Sequence, residues 1–460
     1  MIHTRTSKVQ WLSSFIILFL SITTYSQDEL SFLFAGDVMQ HDGQISAAYN
    51  KNTQSYDYED GFKFIKPVIN EYDIKVVNLE VTLAGRPYKG YPQFSAPDEL
   101  AQAVVSNGFN VILTSNNHSC DRGSKGVIRT LDVLDGLGVK HTGTFRNKEE
   151  RDKHYPLIIE KNGMKVAMLN YTYGTNGLKV NAPLIINYID SAIIRKDVEK
   201  AKSMNVDYII CNMHWGKEYL HLPDSYQKKW EAFCYKVGAD MVIGGHPHTV
   251  QPIVRKNINN EEHLTVWSMG NFVSNMSVRY TRGGVMIGVS IKKENNKVTL
   301  GKTEQCLVYV HKKQEGVIKK YYILPEFNYN KYRPEFISAG IQLKMDGFFA
   351  DSKKLFSEHN IGIDTKTIDE SSTIGELYKH YLTYYLAVLI PDGKDELLLD
   401  KKISPFIHET VDQAGKNYIL SGVCTKLEQA RGNLQFINDC KLSSEAYIVR
   451  VTPTSVTRIE

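Results

Sequence analysis

The sequence predicts an α/β protein built in layers, followed by a small α+β domain. From Ser31 to about Gly288, short apolar runs alternate with longer helical patterns, which is typical of a layered α/β domain. Residues 381–456 repeat the alternation on a smaller scale, with three apolar runs that predict strands and helical stretches between them. A chain of 460 residues is long enough for two or three domains.

The predicted strands of the first domain are runs of Val, Ile, Leu, Met and Phe: Phe32–Ala35, Ile74–Val77, Val111–Leu113, Val166–Leu169, Tyr208–Ile210, Met241–Ile243 and Thr265–Trp267. Helical patterns lie between them at Asp98–Ser106, Ser124–Leu137, Ile193–Met204 and Ser225–Val237. Alternating runs at 285–292 and 297–300 predict antiparallel hairpins that close this domain, which is expected to span 31–322 with a core at 31–276. Residues 323–380 have weak periodicity and predict an irregular extension and linker.

The first 26 residues have the composition of a secretory signal peptide. Arg5 and Lys8 precede the apolar run Trp11–Leu20, and no acidic residue occurs before Asp28. The run is shorter than the roughly 20 residues that span a membrane. We therefore expect export across the inner membrane to the periplasm or cell envelope, with an uncleaved N-terminal anchor as the alternative. The 55 Lys and Arg balance 51 Asp and Glu, so no basic field favours nucleic acid as a partner.

Six of the predicted strands lead directly into polar residues that can bind metal ions. Because ligands bind outside the carboxyl ends of strands in open α/β sheets, these residues are expected to share one site. Asp, Glu, Asn and His donors without a thiolate pair suit Zn, Mn or Fe in a two-metal centre. The residues are Asp37 and His41; Glu80; Asn116, Asn117, His118 and Asp121; His214, Trp215 and Glu218; His246 and His248; and Asn271.

Other catalytic motifs are absent from the sequence. It contains no G-x-G-x-x-G after a strand, no phosphate-binding Gly-Lys-Ser/Thr loop and no G-x-S-x-G nucleophile motif. Cys120 lies inside the His118 loop, so a reactive thiol is an alternative to a small loop residue at that position.

Seven segments together resemble the CapA family of capsule-synthesis proteins, also called poly-γ-glutamate synthesis proteins. The resemblance covers about residues 31–276, and the motifs occur in the order of the family. The segments are Gly36–Met39, Asn78–Glu80, Phe94–Pro97, Asn116–Gly123, His214–Glu218, Gly245–His248 and Ser268–Phe272. The family is similar to calcineurin-like metallophosphoesterases, which implies a four-layer αββα sandwich with metals at the strand ends.

The resemblance also implies roles for individual residues. His118 resembles the catalytic histidine that protonates a leaving oxygen, with Asp121 in the same catalytic group. Glu80 would bridge two divalent ions, with Mn, Zn and Fe as the candidates. The usual Asp-x-His is absent because Met39 follows Asp37 by two positions, and His41 is the candidate replacement. The other implied ligands are Asp37, Asn117, His214, His246 and His248; Asn116, Trp215, Glu218 and Asn271 are candidate substrate-binding residues.

Residues Tyr384 to Val451 resemble a SPOR domain, the peptidoglycan-binding module, on the motifs Tyr385–Leu389, Tyr418–Gly422, Leu427–Ala430 and Ala446–Val449. The resemblance implies binding to glycan strands of the wall. An unrelated small α/β module is the alternative.

These features favour a secreted cell-envelope protein whose first domain is a metal-dependent hydrolase. The expected substrate is an anionic capsule or envelope polymer, or a phosphoester. Two other hypotheses stay open at this point. The same fold could bind an anionic polymer without catalysis and assist its export or anchoring. Alternatively, the chain could be a wall-binding scaffold with a vestigial pocket.

Overall fold

The computed structural model describes residues 28–315, 318–326 and 339–366, five strands at 384–390, 407–411, 417–424, 445–452 and 455–458, and residues 431 and 435. The predicted signal peptide and most of the predicted helix at 426–439 lie outside the described residues. Among the described residues, no helix is both long and apolar enough to span a membrane.

The strands are β1 Asp28–Val38, β2 Tyr49–Asn50, β3 Ser55–Tyr56, β4 Ile74–Leu79, β5 Val111–Leu113, β6 Lys140–Thr142, β7 Thr144–Phe145, β8 Leu157–Lys161, β9 Met164–Thr172, β10 Ile185–Ile186, β11 Tyr208–His214, β12 Met241–Gly245, β13 Ile253–Ile258, β14 Glu261–Val266, β15 Asn271–Val273, β16 Gly283–Glu294, β17 Lys297–Glu315, β18 Ile318–Pro325, β19 Asp364–Thr365, β20 Tyr384–Ile390, β21 Ile407–Val411, β22 Asn417–Cys424, β23 Glu445–Thr452 and β24 Ser455–Arg458. The α-helices are α1 Asp42–Ala48, α2 Lys66–Ile69, α3 Asp98–Ser106, α4 Gly123–Gly136, α5 Lys148–His154, α6 Ser191–Ser203, α7 Ser225–Val237 and α8 Ala339–His359.

The first large sheet has the strand order β18-β17-β16-β1-β4-β5-β6. Strands β1, β4, β5 and β6 are parallel, and the predicted hairpins β16 to β18 extend the sheet antiparallel to β1. The second large sheet has the order β13-β14-β12-β11-β9-β8, with β9, β11, β12 and β14 parallel. All seven predicted strands of the first domain are present, although the last ends at Val266.

The two sheets pack face to face, and helices cover both outer faces. The central core joins alternate residues of both sheets, such as Phe32 and Phe34 from β1 with Ile210 from β11. The residues that alternate with these along each strand point to the opposite face of the sheet, towards the helices. Leu33 packs with helices α2 and α3, and Cys211 packs with α6 and α7. This arrangement confirms the predicted four-layer αββα sandwich.

The prediction of irregular structure is wrong for residues 339–359, which form α8. Met345, Phe348, Phe349 and Phe356 are all buried and belong to the core between the sheets. Their spacing fits a helix, but the polar residues among them weakened the sequence pattern. After α8, Ile361 pairs with β13 and the short β19 pairs with β17.

The C-terminal strands form an antiparallel sheet of order β21-β22-β20-β23-β24. It contains the three strands that the sequence predicts near residues 384, 417 and 446, with two additional strands, β21 and β24. The SPOR assignment of this region stays a prediction.

Candidate metal centre

The first half of the candidate site lies at the carboxyl end of β1. Asp37 pairs in register with Asn78 on β4 and with Asn271 on β15, so β1 ends between two parallel neighbours. The backbone N–H of Asp37 donates to Gly270 O at 3.0 Å. A Cβ on Gly36 would lie only 2.0 Å from that oxygen. A glycine is therefore required for the close approach of strands that fixes Asp37.

The second half comes from β11 and β12 of the other sheet. His214 ends β11 in register with Gly245, the last residue of β12, and His246 and His248 follow directly. A Cβ on Gly245 would lie 3.2 Å from Asp37 Oδ1. The carboxyl ends of parallel strands from both sheets therefore meet at one place, as ligand-binding sites in α/β proteins do.

Two groups of acidic and imidazole side chains in this place could each hold an ion. Glu80, His246 and His248 form one group, and Asp37, Glu80 and His214 form the other. Within each group the candidate ligand atoms lie within 4.8 Å of one another. Glu80 belongs to both groups, which is the position of a bridging carboxylate. We call these five residues the metal-centre cluster; all of them are buried.

Several atoms of the metal-centre cluster have no hydrogen-bond partner. These are Asp37 Oδ2, both carboxylate oxygens of Glu80 and His246 Nδ1. The ion-pair contacts within the cluster are long: Glu80 Oε1 lies 3.5 Å from His214 Nε2 and 3.8 Å from His248 Nε2. Buried polar groups in folded proteins are nearly always paired, so this concentration of orphaned atoms indicates a ligand from outside the chain.

The electrostatics of the cluster also favour a bound cation. Burial, followed by the nearby charge of Asp37, raises the pKa of Glu80 well above its ordinary value. Burial lowers the pKa of His214 to about 3 and that of His246 well below its ordinary value. Both imidazoles are therefore neutral at physiological pH, the state that binds metals. A divalent ion would offset the repulsion between the two carboxylates.

Buried amides orient three side chains of the cluster: Asp37, His214 and His248. The amides are Asn78, whose Nδ2 donates to Asp37 Oδ1 at 2.7 Å; Asn117, whose Oδ1 lies 2.7 Å from His214 Nε2; and Asn271, whose Oδ1 lies 3.1 Å from His248 Nδ1. Asn116 lies behind them, and its Nδ2 donates to Asn78 Oδ1 at 3.1 Å. Such supporting contacts fix the direction of metal ligands.

His118 lies beside the cluster and is held by Asp121. His118 Nδ1 is 2.8 Å from Asp121 Oδ2, and the same oxygen accepts a hydrogen bond from the backbone N–H of Phe94 at 2.7 Å. The Phe94 ring packs edge-on against His118, with ring centroids 4.6 Å apart. His118 Nε2 is 3.4 Å from Asn176 Nδ2. With Nδ1 engaged, Nε2 is the atom that remains for a substrate.

His41 lies outside both ligand groups. It is the N-cap of α1, and its Nδ1 is 3.3 Å from Gln44 Oε1 and accepts from the backbone N–H of Asn275 at 3.3 Å. Met39, two positions after Asp37, is buried. The structure therefore brings together six of the seven predicted ligands and leaves His41 in a capping role.

Three other predicted residues have distinct surroundings. Trp215 is fully buried in the core outside the second sheet, and its Nε1 donates to Trp267 O at 3.1 Å. Glu218 is exposed to solvent near the cluster. Cys120 is 1% exposed, and burial raises the pKa of its thiol. That environment disfavours a reactive thiolate.

Two residues of the site, Asn78 and Asn176, were not predicted to have a role in it, although Asn78 lies in the quoted segment Asn78–Glu80. Asn78 has a usable signal, because it precedes Glu80 by two positions at a strand end and therefore points to the same side. Asn176 has none, since it lies in a loop that the second sheet brings back to His118. Backbone strain is equally invisible in the sequence: His246 and His248 have φ values of 98° and 57°. Strained residues of this kind concentrate at functional sites.

The fold and the site together define an α/β sandwich with a candidate two-metal centre at the strand ends. A model of the family described as "Bacterial capsule synthesis protein PGA_cap" matches residues 31–276, which is more than half of the chain. The chain belongs to this capsule-synthesis family, as the CapA resemblance predicted.

Named relatives agree with this assignment. The PGA biosynthesis protein CapA of Bacillus subtilis (strain 168) is 25% identical over 310 residues, covering 65% of this chain and 76% of that protein. The capsule biosynthesis protein CapA of Bacillus anthracis is 27% identical over 281 residues, covering 56% of this chain and 63% of that protein, so the match spans less than two thirds of that protein's length.

Two solved structures are similar to this chain with low TM-scores and low sequence identity. The NAD nucleotidase NadN of Haemophilus influenzae has a TM-score of 0.39 and 14% identity, covering 77% of this chain and 60% of that chain. The calcineurin-like phosphoesterase YfkN of Bacillus subtilis has a TM-score of 0.37 and 13% identity, covering 71% and 99%. The four-layer fold follows from the sheets and helices of this chain itself.

Proposed function

We propose that the chain is a metal-dependent hydrolase that cleaves a phosphoester, or a related bond, in the synthesis of a bacterial capsule or envelope polymer. The observation that carries the proposal is the set of orphaned, buried donor atoms on Asp37, Glu80 and His246. The family assignment supports the capsule context, because the named relatives are capsule or PGA biosynthesis proteins.

The donor set fits divalent metal ions. Carboxylate and neutral imidazole donors suit Zn, Mn and Fe, and Glu80 is shared by the two groups as a bridging ligand requires. Asp37, Glu80, Asn117, His214, His246 and His248 would hold the ions. When bound, a pair of such ions polarises a phosphoryl oxygen and activates water.

The chain's own residues supply the proton and the orientation. His118 Nε2 is the ring nitrogen that Asp121 leaves available, so His118 is placed to protonate a leaving oxygen, and Asp121 keeps the imidazole in that orientation. Asn176 lies against the same nitrogen and is placed to contact a substrate oxygen. The burial of the cluster excludes bulk water, which strengthens electrostatic interactions inside the site.

The test combines metal analysis with turnover measurements on the full chain. We expect close to two Zn, Mn or Fe ions per chain and hydrolysis of bis-p-nitrophenyl phosphate. The double variant His246→Ala/His248→Ala should lose both the metal and the activity. The matched control is His263→Ala, which removes a buried imidazole from β14 of the same sheet, where its Nδ1 contacts Asp240 O at 3.1 Å. This control should keep both.

Two results of these measurements would contradict the proposal. A chain purified from its host and resupplied with Zn, Mn and Fe that holds none of them would exclude a metal-dependent reaction. A metal-loaded chain that hydrolyses neither bis-p-nitrophenyl phosphate nor poly-γ-glutamate would instead support the second function below.

A non-catalytic role in polymer binding, export or anchoring is the second candidate. The observation that favours it is the missing ligand: Met39 replaces the usual histidine, and His41 caps α1 instead. One ion would then be held less firmly and would serve to bind an anionic polymer. Binding of poly-γ-glutamate that depends on added metal, without turnover, would favour this role.

The proposal includes an envelope location. The composition of residues 1–26 supports export, and the SPOR-like pattern of 381–456 supports attachment to peptidoglycan glycan strands. Cell fractionation and co-sedimentation of the full chain with purified peptidoglycan test these two parts separately. A cytoplasmic chain would contradict the first part, and absence of co-sedimentation would contradict the second.

A further inference from the structure

Three exposed tyrosines lie next to the metal-centre cluster or to the Phe94 ring that packs on His118. Tyr91, Tyr173 and Tyr219 have exposed fractions of 70%, 39% and 47%. We propose that these rings form a subsite for a sugar ring that carries the scissile phosphoester, so that the substrate is a glycosyl phosphoester rather than an extended polyanion. This inference rests on the proposed function for the position of the phosphoester.

Each ring contacts the site directly or through one side chain. The Tyr173 ring lies 4.5 Å from that of His246, and the Tyr219 ring lies 6.4 Å from that of His248. Tyr91 packs edge-on against Phe94, with centroids 6.4 Å apart, and Phe94 in turn contacts His118. Tyr173 and Tyr219 therefore lie against metal ligands, and Tyr91 reaches the candidate acid through Phe94.

The backbone holds two of the rings to the strand ends that carry metal ligands. The N–H of Tyr173 donates to His214 O at 3.0 Å, and the N–H of Tyr219 donates to Pro247 O at 2.8 Å. Tyr219 has a φ of 67°, a strained conformation for a residue with an aromatic side chain. Strain at an exposed aromatic residue is consistent with a functional requirement for its position.

The third ring is carried by a hairpin that is docked on the His118 loop. Lys89 and Ser95 exchange backbone hydrogen bonds at 3.0 and 2.8 Å around Tyr91. Phe94, next to Ser95, donates its N–H to Asp121 Oδ2. All three rings are consequently presented on a fixed frame, which reduces the entropy lost when a ligand binds.

An exposed carboxylate lies beside two of the rings. Glu218 is exposed and lies close to the hydroxyls of both Tyr173 and Tyr219. A polyanion entering between these rings would meet like charge, which disfavours binding.

A sugar ring suits the same surroundings. Its C–H faces can pack on the rings of tyrosines, which provide large apolar surfaces with polar tips. Its hydroxyls can donate to the exposed carboxylate of Glu218. Aromatic rings beside a carboxylate therefore match an uncharged, hydroxyl-rich group better than a chain of carboxylates.

The test measures binding by calorimetry with the full, metal-loaded chain. The probes are N-acetylglucosamine 1-phosphate, inorganic phosphate and a γ-linked glutamate oligomer. We expect the sugar phosphate to bind about tenfold more tightly than inorganic phosphate. The variant Tyr173→Ala/Tyr219→Ala should lose this difference and keep its affinity for inorganic phosphate, which reports on the metal centre alone. Retention of the phosphate affinity also shows that the variant is folded.

The matched control is Tyr226→Ala, an equally exposed tyrosine on α7 that packs against Trp230 away from the site. It should bind the sugar phosphate as the wild type does. The variant Glu218→Gln should bind the γ-linked glutamate oligomer more tightly than the wild type. Equal affinity of the wild type for sugar phosphate and phosphate, or a preference for the glutamate oligomer, would overturn the inference.

The outcomes separate this inference from the proposed function. Hydrolysis of bis-p-nitrophenyl phosphate with no effect of the tyrosine variants on sugar phosphate binding would remove only the sugar subsite. Tyrosine-dependent binding of the sugar phosphate without any turnover would keep the subsite and remove only the hydrolase.

Discussion

Two buried polar clusters in this molecule differ in whether the chain satisfies them. Around Arg151, the guanidinium donates to Asp197 Oδ2 at 2.7 Å and to Asn187 Oδ1 at 2.8 Å, and Tyr171 OH donates to Asp197 at 2.9 Å. We call these four residues the Arg151 network. In the metal-centre cluster, by contrast, Asp37, Glu80 and His246 retain buried atoms without partners.

The difference separates a structural role from a functional one. A buried charge that is fully hydrogen-bonded within the chain contributes to the native structure, and its loss leaves a partner uncompensated. A buried charge with no partner within the chain costs free energy on folding, and the cost is recovered when a ligand binds. The metal-centre cluster should therefore respond to metal, and the Arg151 network should not.

The largest expected effect is on turnover at His118. His118→Asn should lower the rate of bis-p-nitrophenyl phosphate hydrolysis by about 10²–10⁴-fold, the range for a lost general acid, while metal content stays unchanged. The control is His141→Asn, because His141 forms a similar pair with Asp135 at 3.0 Å outside the site. Unchanged turnover in His118→Asn would show that another group protonates the leaving oxygen.

The next largest effect is on the free energy of unfolding and comes from the Arg151 network. Asp197→Ala should lower the free energy of unfolding by up to about 3–5 kcal/mol because it leaves the partly buried Arg151, whose side chain is 15% exposed, without its charge partner. Denaturant unfolding with and without added metal should show the same loss. Asp132→Ala is the matched control, since its ion pair with Arg146 is exposed and should be worth at most about 1 kcal/mol. A loss that disappears on adding metal would break the comparison.

The contrast between the two clusters is tested most directly at Glu80. Whether Glu80→Gln is more or less stable than the wild type should depend on whether metal is bound. Because the folded-state pKa of Glu80 is raised, its contribution to stability is present at low pH and is lost as the pH rises. Metal-free Glu80→Gln should therefore melt at a higher temperature than the metal-free wild type at pH 8, and the difference should shrink towards pH 4. Added metal should reverse the order.

Thermal melts with and without a chelator measure this reversal. The control is Glu262→Gln, which removes an exposed carboxylate paired with Arg255 and should show no reversal. If the metal-free Glu80→Gln chain were less stable than the wild type at pH 8, the carboxylate would be structural and the contrast between the two clusters would fail.

The smallest expected effect concerns Asp240. Its carboxylate is partly satisfied, since it accepts one hydrogen bond from the backbone N–H of Ile209 at 2.7 Å. It is therefore intermediate between the Arg151 network and the metal-centre cluster. Burial raises its pKa from 3.8 to about 6. The contribution of Asp240 to stability is therefore full below about pH 4 and is lost as the pH rises through about 6. Asp240→Asn should be more stable than the wild type by about 1–2 kcal/mol above pH 7, and equal to it near pH 4.

Unfolding curves across pH 4–8 test this prediction. The control is Asp132→Asn, which changes an exposed carboxylate paired with Arg146. A wild type that gains stability relative to Asp240→Asn as the pH rises would contradict it.

The amino-acid sequence by itself determined the layers and most of the site. Period-2 and period-3.6 patterns placed the strands and helices of the first domain, because burial of one face imposes those periods. The rule that ligands bind outside the carboxyl ends of strands was enough to group Asp37, Glu80, His214, His246 and His248. That these strand ends come from two sheets was visible only in the structure. The motif order indicated the family, which the match over 31–276 confirmed.

Tertiary structure alone decided what each polar group meets. His41 and Asp37 lie four residues apart, but the start of α1 turns His41 towards Gln44 and Asn275. Trp215 follows His214 directly, yet alternation along the chain sends it into the core. The helix α8 was not predicted from the sequence, because its buried residues contact strands that are far away in the chain. Contacts between distant segments carry no local pattern, so the orphaned donors and the tyrosines around them became visible only in the folded chain.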